Sequence, residues 1–168
     1  IGHNLNEKIA QDRQRKEYEA RVEQLLQDNP ELAYLYSKAP NTEFDLDPGL
    51  ASHVAPRTDP IIGDKSEQGP AKITLGPVAF QSDEHLIVAL GHELVHATHY
   101  ESGSYARWYD KYGFDTNGTR YAHLISEAFA YKWSTPYVNK FNLTGTFGGT
   151  ETYNYYLSRL PKDFNFPK

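Results

Sequence analysis

Ser82-Asp83-Glu84-His85-Leu86-Ile87-Val88-Ala89-Leu90-Gly91-His92-Glu93-Leu94-Val95-His96-Ala97-Thr98-His99-Tyr100 runs without a proline and reads as one helix. Ser82 is placed to cap it, and Asp83 and Glu84 lie in the first turn, where the helix dipole favours acids. Leu86, Ile87, Leu90, Leu94 and Ala97 recur at helical spacing and form an apolar stripe. His92-Glu93-Leu94-Val95-His96 has the H-E-x-x-H spacing. Positions i and i+4 stand one above the other on a helix, so His92 and His96 present two imidazoles to one metal ion. Imidazole nitrogen suits zinc, which lowers the pKa of a coordinated water to about 7. Glu93 lies about 100° further round the helix. There it reaches that water rather than the metal and serves as general base.

Two histidines do not complete a catalytic zinc site, which usually takes three protein ligands. His99 continues the stripe of His85, His92 and His96, but it stands nearly two turns, about 10 Å, from His92. It reads as a neighbour of the ligands or a groove wall, and His85 reads as structural. Glu127 is the stronger third ligand. It falls on the polar side of a separate helix, within Ser126-Glu127-Ala128-Phe129-Ala130. A carboxylate flanked by small and apolar residues needs a partner when buried, and a cation is one. The alternatives are a salt bridge from Glu127 to Arg120 or Lys132, or His123, one turn earlier, or His99 as the ligand in its place. Asp110, Asp115 and Glu151 are weaker candidates.

Outward from the central helix, Ala71 to Phe80 reads as a strand, with Gly76-Pro77 confining it to an edge or a bulge. An edge strand there suits strand addition by an extended peptide held across the metal. Leu5 to Asp28 is charged, with scattered apolar positions, and reads as a surface helix. Asn29-Pro30 breaks it, and Glu31 to Lys38 is a second, short helix. Asn41 to Pro70 reads as loop with turn signals at Asp47-Pro48-Gly49, Asp59-Pro60 and Gly69-Pro70, with room for short strands, for example around Ile61-Ile62. His53 within it is assigned a surface role. Tyr105 to Gly113 is expected to be a short helix, and a longer one spans Arg120 to Trp133, stopping before Thr135-Pro136. Ala122, Ile125, Phe129 and Trp133 form its expected buried side, with Leu124 and Glu127 on the other. Thr144 to Gly149 reads as a flexible loop, and Thr150 to Leu160 as a last short helix.

The 168 residues suit one domain with a moderate core, at a net charge of -5. No basic tract argues for nucleic acid. No apolar run approaches a membrane span, and no signal peptide is visible. The chain has neither cysteine nor methionine, so any metal site uses His, Asp or Glu. A start without methionine reads as a processed product or a piece of a longer protein. Tyrosine is abundant, at 13 residues; some of it is expected in the core, with a tyrosine-lined groove as the alternative. The expected organisation is an N-terminal helical segment over 1–40, a lead-in or tether, followed by a catalytic domain over 41–168.

His92-Glu93-Leu94-Val95-His96 followed by a glutamate on a later helix resembles the gluzincin branch of the zinc metallopeptidases. The metzincin branch fits poorly, because its further histidine spacing and its Met-turn are both missing. Gly91 to Gly103 resembles bacterial toxin and effector metallopeptidases, among them clostridial neurotoxin light chains and injected zinc effectors. Phe147-Gly148-Gly149 is similar to another neurotoxin stretch, although Asn142 and Leu143 stand where those proteins carry a glutamate. Ser126 to Trp133 is similar to ImmA/IrrE-type peptidases. The resemblance implies an α+β, zincin-like domain, mainly helical, with a small edge-exposed sheet. It implies a zinc endopeptidase with Zn2+ held by His92, His96 and Glu127, and Glu93 as base. An oxyanion-stabilising group is also implied; Tyr153 and Tyr155 are first choices, with Tyr156 and Arg159 beside them. The expected partners are a protein or peptide substrate and an immunity or inhibitor protein. The expected setting is bacterial, secreted or delivered into a target cell. Alternatives are an endopeptidase of peptidoglycan cross-links and a zincin-fold binding module without catalysis.

Overall fold

The computed structural model describes Gly2 to Lys168 and has an α+β architecture of six helices and one three-stranded sheet among the described residues. Helix α1 (Gly2–Asp28) is followed by α2 (Pro30–Lys38), whose first turn is capped by the Asn29 side chain. Strands β1 (Glu43–Leu46), β2 (Arg57–Pro60) and β3 (Ala71–Leu75) come next. Helices α3 (Asp83–Glu101), α4 (Ser104–Lys111), α5 (Tyr121–Phe141) and α6 (Thr150–Ser158) complete the chain. No described helix is long and apolar enough to cross a membrane.

The sheet differs from the expectation in two ways. Strand β3 is its middle member, in the order β1-β3-β2, rather than an edge. It pairs parallel with β1 and antiparallel with β2. Both partners come from the stretch that reads as loop. Four-residue strands ending near Pro48 and at Pro60 leave too little alternation to stand out from their turn signals. Strand β3 also stops at Leu75, and Pro77–Phe80 forms a 3₁₀ turn instead of more strand. The exposed edge that faces the site is therefore that of β2.

Helix α3 is the hub. It packs on the sheet and on α2, α4 and α5. Its apolar stripe is buried, Leu86, Leu90, Leu94 and Ala97 fully and Ile87 in part, and Val88 and Val95 on the opposite side are buried as well. From the N-terminal helices, Tyr18, Val22 and Leu32 enter the same buried cluster as the α3 residues. The Tyr18 ring stacks on Phe80 at 3.6 Å, and Arg21 donates to the Phe80 carbonyl at 2.8 Å.

Helix α5 continues through Pro136 to Phe141, beyond the expected stop at Trp133. Proline in a helix interior removes one hydrogen bond at a cost of about 3 kcal/mol. Tertiary packing offsets that here, because Ser134, Thr135 and Val138, which flank the proline, are all buried. Leu124, expected on the polar side of this helix, is also core at 1 % exposure.

Candidate metal centre

Helices α3 and α5 lie against each other, and Gly91 sets how closely. A Cβ at Gly91 would fall 1.9 Å from the Trp133 ring, so only glycine admits this approach. The contact brings Glu127 of α5 over the two histidines of α3. The ligand atoms of His92, His96 and Glu127 all lie within 4.8 Å of one another, and the group can hold a metal ion. His92 Nε2 stands 3.3 Å from His96 Nε2. The two Glu127 oxygens stand 3.5 Å from His92 Nε2 and 3.5 Å from His96 Nε2. Four-coordinate sites with bonds of about 2.0–2.1 Å place their donors about 3.3–3.4 Å apart. The donor set is thus spaced as such a site requires, and its chemistry, two imidazoles and one carboxylate, fits a divalent ion.

The far side of each imidazole is held by α5. His96 Nδ1 is 2.7 Å from Ser126 Oγ, and His92 Nδ1 is 3.3 Å from Ser134 Oγ. Such outer partners orient the ring and direct its other nitrogen toward the metal. Helix α5 therefore carries Glu127 and a hydroxyl for each histidine. Neither serine was singled out by sequence reasoning; the signal was their spacing, one residue before and seven after Glu127. His99 takes no place in the ligand group. Its Nδ1 lies 2.9 Å from Ser126 Oγ, and its ring meets Trp108 and Phe129 edge-on. His85 bonds Ser82 Oγ at the start of α3.

Burial alone would raise the Glu127 carboxyl, but hydrogen bonds from His92 and His96 outweigh it and hold Glu127 well below the usual carboxylate range. On His96, burial works against the proton, and the Glu127 carboxylate overcomes it and raises the pKa. His99 has no such carboxylate, and burial pushes it down to about 3.

An open cleft of about 370 Å³ lies over this group. Glu93 lines it and stands outside the ligand group, with its carboxylate accepting a 2.6 Å hydrogen bond from Thr58 Oγ1 of β2. Ala55 to Asp59 form one wall, so the unpaired edge of β2 borders the cleft. His123, Tyr131 and Tyr156 line the other side, with the Tyr131 and Tyr156 rings stacked at 5.3 Å. Tyr153 and Tyr155 do not line the cleft. Tyr155 lies about 100° round α6 from Tyr156, whereas Tyr153 is three positions earlier and only about 60° away, yet still falls outside the lining. Tyr155 is half exposed, and Arg159 is engaged with Asp115 away from the metal group. Tyr156 is therefore the member of that tyrosine cluster that the structure brings to the cleft. Thr146, Phe147 and Gly148, read as flexible loop, form its rim, and Phe147 packs edge-on against His85.

No family model, no curated protein and no solved structure matches this chain.

Proposed function

We propose that this chain is a zinc-dependent endopeptidase of zincin type, the catalytic domain of a bacterial toxin or effector that is secreted or delivered into a target cell. The observation that carries the reading is the convergence of His92, His96 and Glu127 beneath a cleft whose wall holds Glu93. Zinc, when bound, supplies Lewis acidity for a peptide carbonyl and an acidic water at neutral pH.

The chain's own groups account for the rest of amide hydrolysis. Glu93 takes the proton from the attacking water and returns it to the departing amine nitrogen. Thr58 holds that carboxylate in place through its hydroxyl. An extended peptide adds to the free edge of β2 by main-chain hydrogen bonds, which lays it along the cleft. The Tyr156 phenol, whose pKa is raised by burial and then by Glu127, stays protonated and can donate to the carbonyl oxygen as charge builds there.

The test is metal content together with proteolysis of a protein and peptide panel, with and without chelator. Glu93→Ala is expected to keep its zinc and to lose activity by at least about 10²–10⁴-fold. Full activity in that variant overturns the mechanism. Purified peptidoglycan digested in parallel separates a cell-wall substrate from a protein one.

A further inference from the structure

We infer that His99 is a positioning residue: through the Ser126 hydroxyl it selects which ring nitrogen of His96 carries a proton and which is free for the metal. The inference rests on the metal-centre reading above. Ser126 Oγ sits between two imidazole nitrogens, 2.7 Å from His96 Nδ1 and 2.9 Å from His99 Nδ1. Ser126 is 1 % exposed and His99 is 8 % exposed, so both sides of the bridge are buried.

A hydroxyl has one proton to give and two lone pairs to receive. Metal binding through His96 Nε2 requires the ring proton on Nδ1, which then donates to Ser126 Oγ. The Ser126 proton must go to the other neighbour, and His99 Nδ1 accepts it. If His99 Nδ1 held a proton instead, that proton would point at Ser126 Oγ. The serine proton would then turn toward His96 Nδ1, and the His96 proton would move to Nε2, where it blocks the metal. A third arrangement, with Oγ accepting from both rings, leaves a buried O–H without a partner and is disfavoured.

The surroundings of His99 support the acceptor role. Trp108 and Phe129 box its ring at 4.8 and 5.1 Å between centroids. Burial there keeps the imidazole neutral, so one nitrogen always offers a lone pair. His96 Nε2 faces a Glu127 oxygen at 3.5 Å, an acceptor that leaves Nδ1 turned toward Ser126 Oγ at 2.7 Å. His92 has no equivalent relay, because Ser134 is the hydroxyl at its Nδ1 and no second imidazole bonds it among the described residues.

Two measurements test this. Nitrogen-15 spectra of the histidines in the metal-free wild-type protein are expected to show His96 protonated at Nδ1 and His99 unprotonated at Nδ1. A protonated His99 Nδ1 overturns the relay, whether or not the protein binds zinc. Zinc affinity is then measured by chelator competition. His99→Phe keeps an aromatic ring in the Trp108–Phe129 box and removes the acceptor. It is expected to weaken zinc by about 10–100-fold, the usual weight of an outer partner. Adding Ser126→Ala to His99→Phe removes the hydroxyl proton then forced onto His96, and is expected to recover part of that loss. Wild-type affinity in His99→Phe, or losses that multiply in the double variant, overturns the inference. A wild-type protein that binds no zinc overturns the metal reading instead, and the tautomer assignment is read independently.

Discussion

Glu127 is a carboxylate on which burial and its neighbours act in opposite directions. Burial favours its neutral form, and the His92 and His96 contacts prevail and keep it ionised. Its charge is therefore what the centre uses, and Glu127→Gln, which keeps the shape and removes the charge, tests it. Zinc affinity in that variant is expected to fall by more than the about 10–100-fold carried by outer partners. Unchanged affinity in a chelator titration moves the third ligand elsewhere. His99 yields a separate prediction. Its folded pKa of about 3 lies below the ordinary 6.5, so between those values the unfolded chain binds a proton that the folded chain refuses. The stabilisation is complete above pH 6.5 and is lost as pH falls toward 3. Urea unfolding of metal-free protein across the upper part of that window is expected to lose up to about 1.4 kcal/mol per pH unit for this group. In His99→Phe that part of the slope disappears; an unchanged slope refutes the assignment.

At the scale of elements, the α3–α5 contact depends on a missing side chain. Gly91→Ala drives a methyl into the Trp133 ring, so the ring, and α5 with it, is expected to shift. The expected cost is about 1–3 kcal/mol or more of stability, read by thermal or urea unfolding. Because the same shift lifts Glu127 from the histidines, zinc affinity is expected to fall with it. A stable variant with normal zinc binding contradicts this role for Gly91. The sheet explains why strand order was not legible. Strands β1 and β2 have four residues each, and their partner β3 lies between them only after the chain has crossed. No local pattern encodes that. The passage of α5 through Pro136 was equally hidden, since the residues that compensate are buried by neighbours distant in sequence.

For the whole molecule, α3 couples the metal centre to the core, because the helix that carries His92 and His96 also packs on the sheet, α2, α4 and α5. Zinc that binds the folded chain alone therefore stabilises all of it. At a free concentration of about 100 times Kd the gain is about 2.7 kcal/mol. For a chain of this size that raises Tm by about 5–11 °C. Differential scanning with and without chelator checks it, and Glu127→Gln is expected to abolish the shift.

What the sequence by itself determined is the central helix and its chemistry. Ser82, the acidic first turn, the apolar stripe and the i, i+4 histidines are all local, and helical periodicity reads them directly. Glu127 was legible as a candidate because its apolar flanks leave a buried carboxylate in need of a cation. Only the tertiary structure decided which partners meet at the site. Tyr156 rather than Tyr153 or Tyr155 reaches the cleft, β2 rather than β3 offers the edge, and Ser126 and Ser134 hold the imidazoles. These depend on the relative phase of packed elements, and phase is fixed by long-range contacts such as Gly91 against Trp133, which no window of sequence contains.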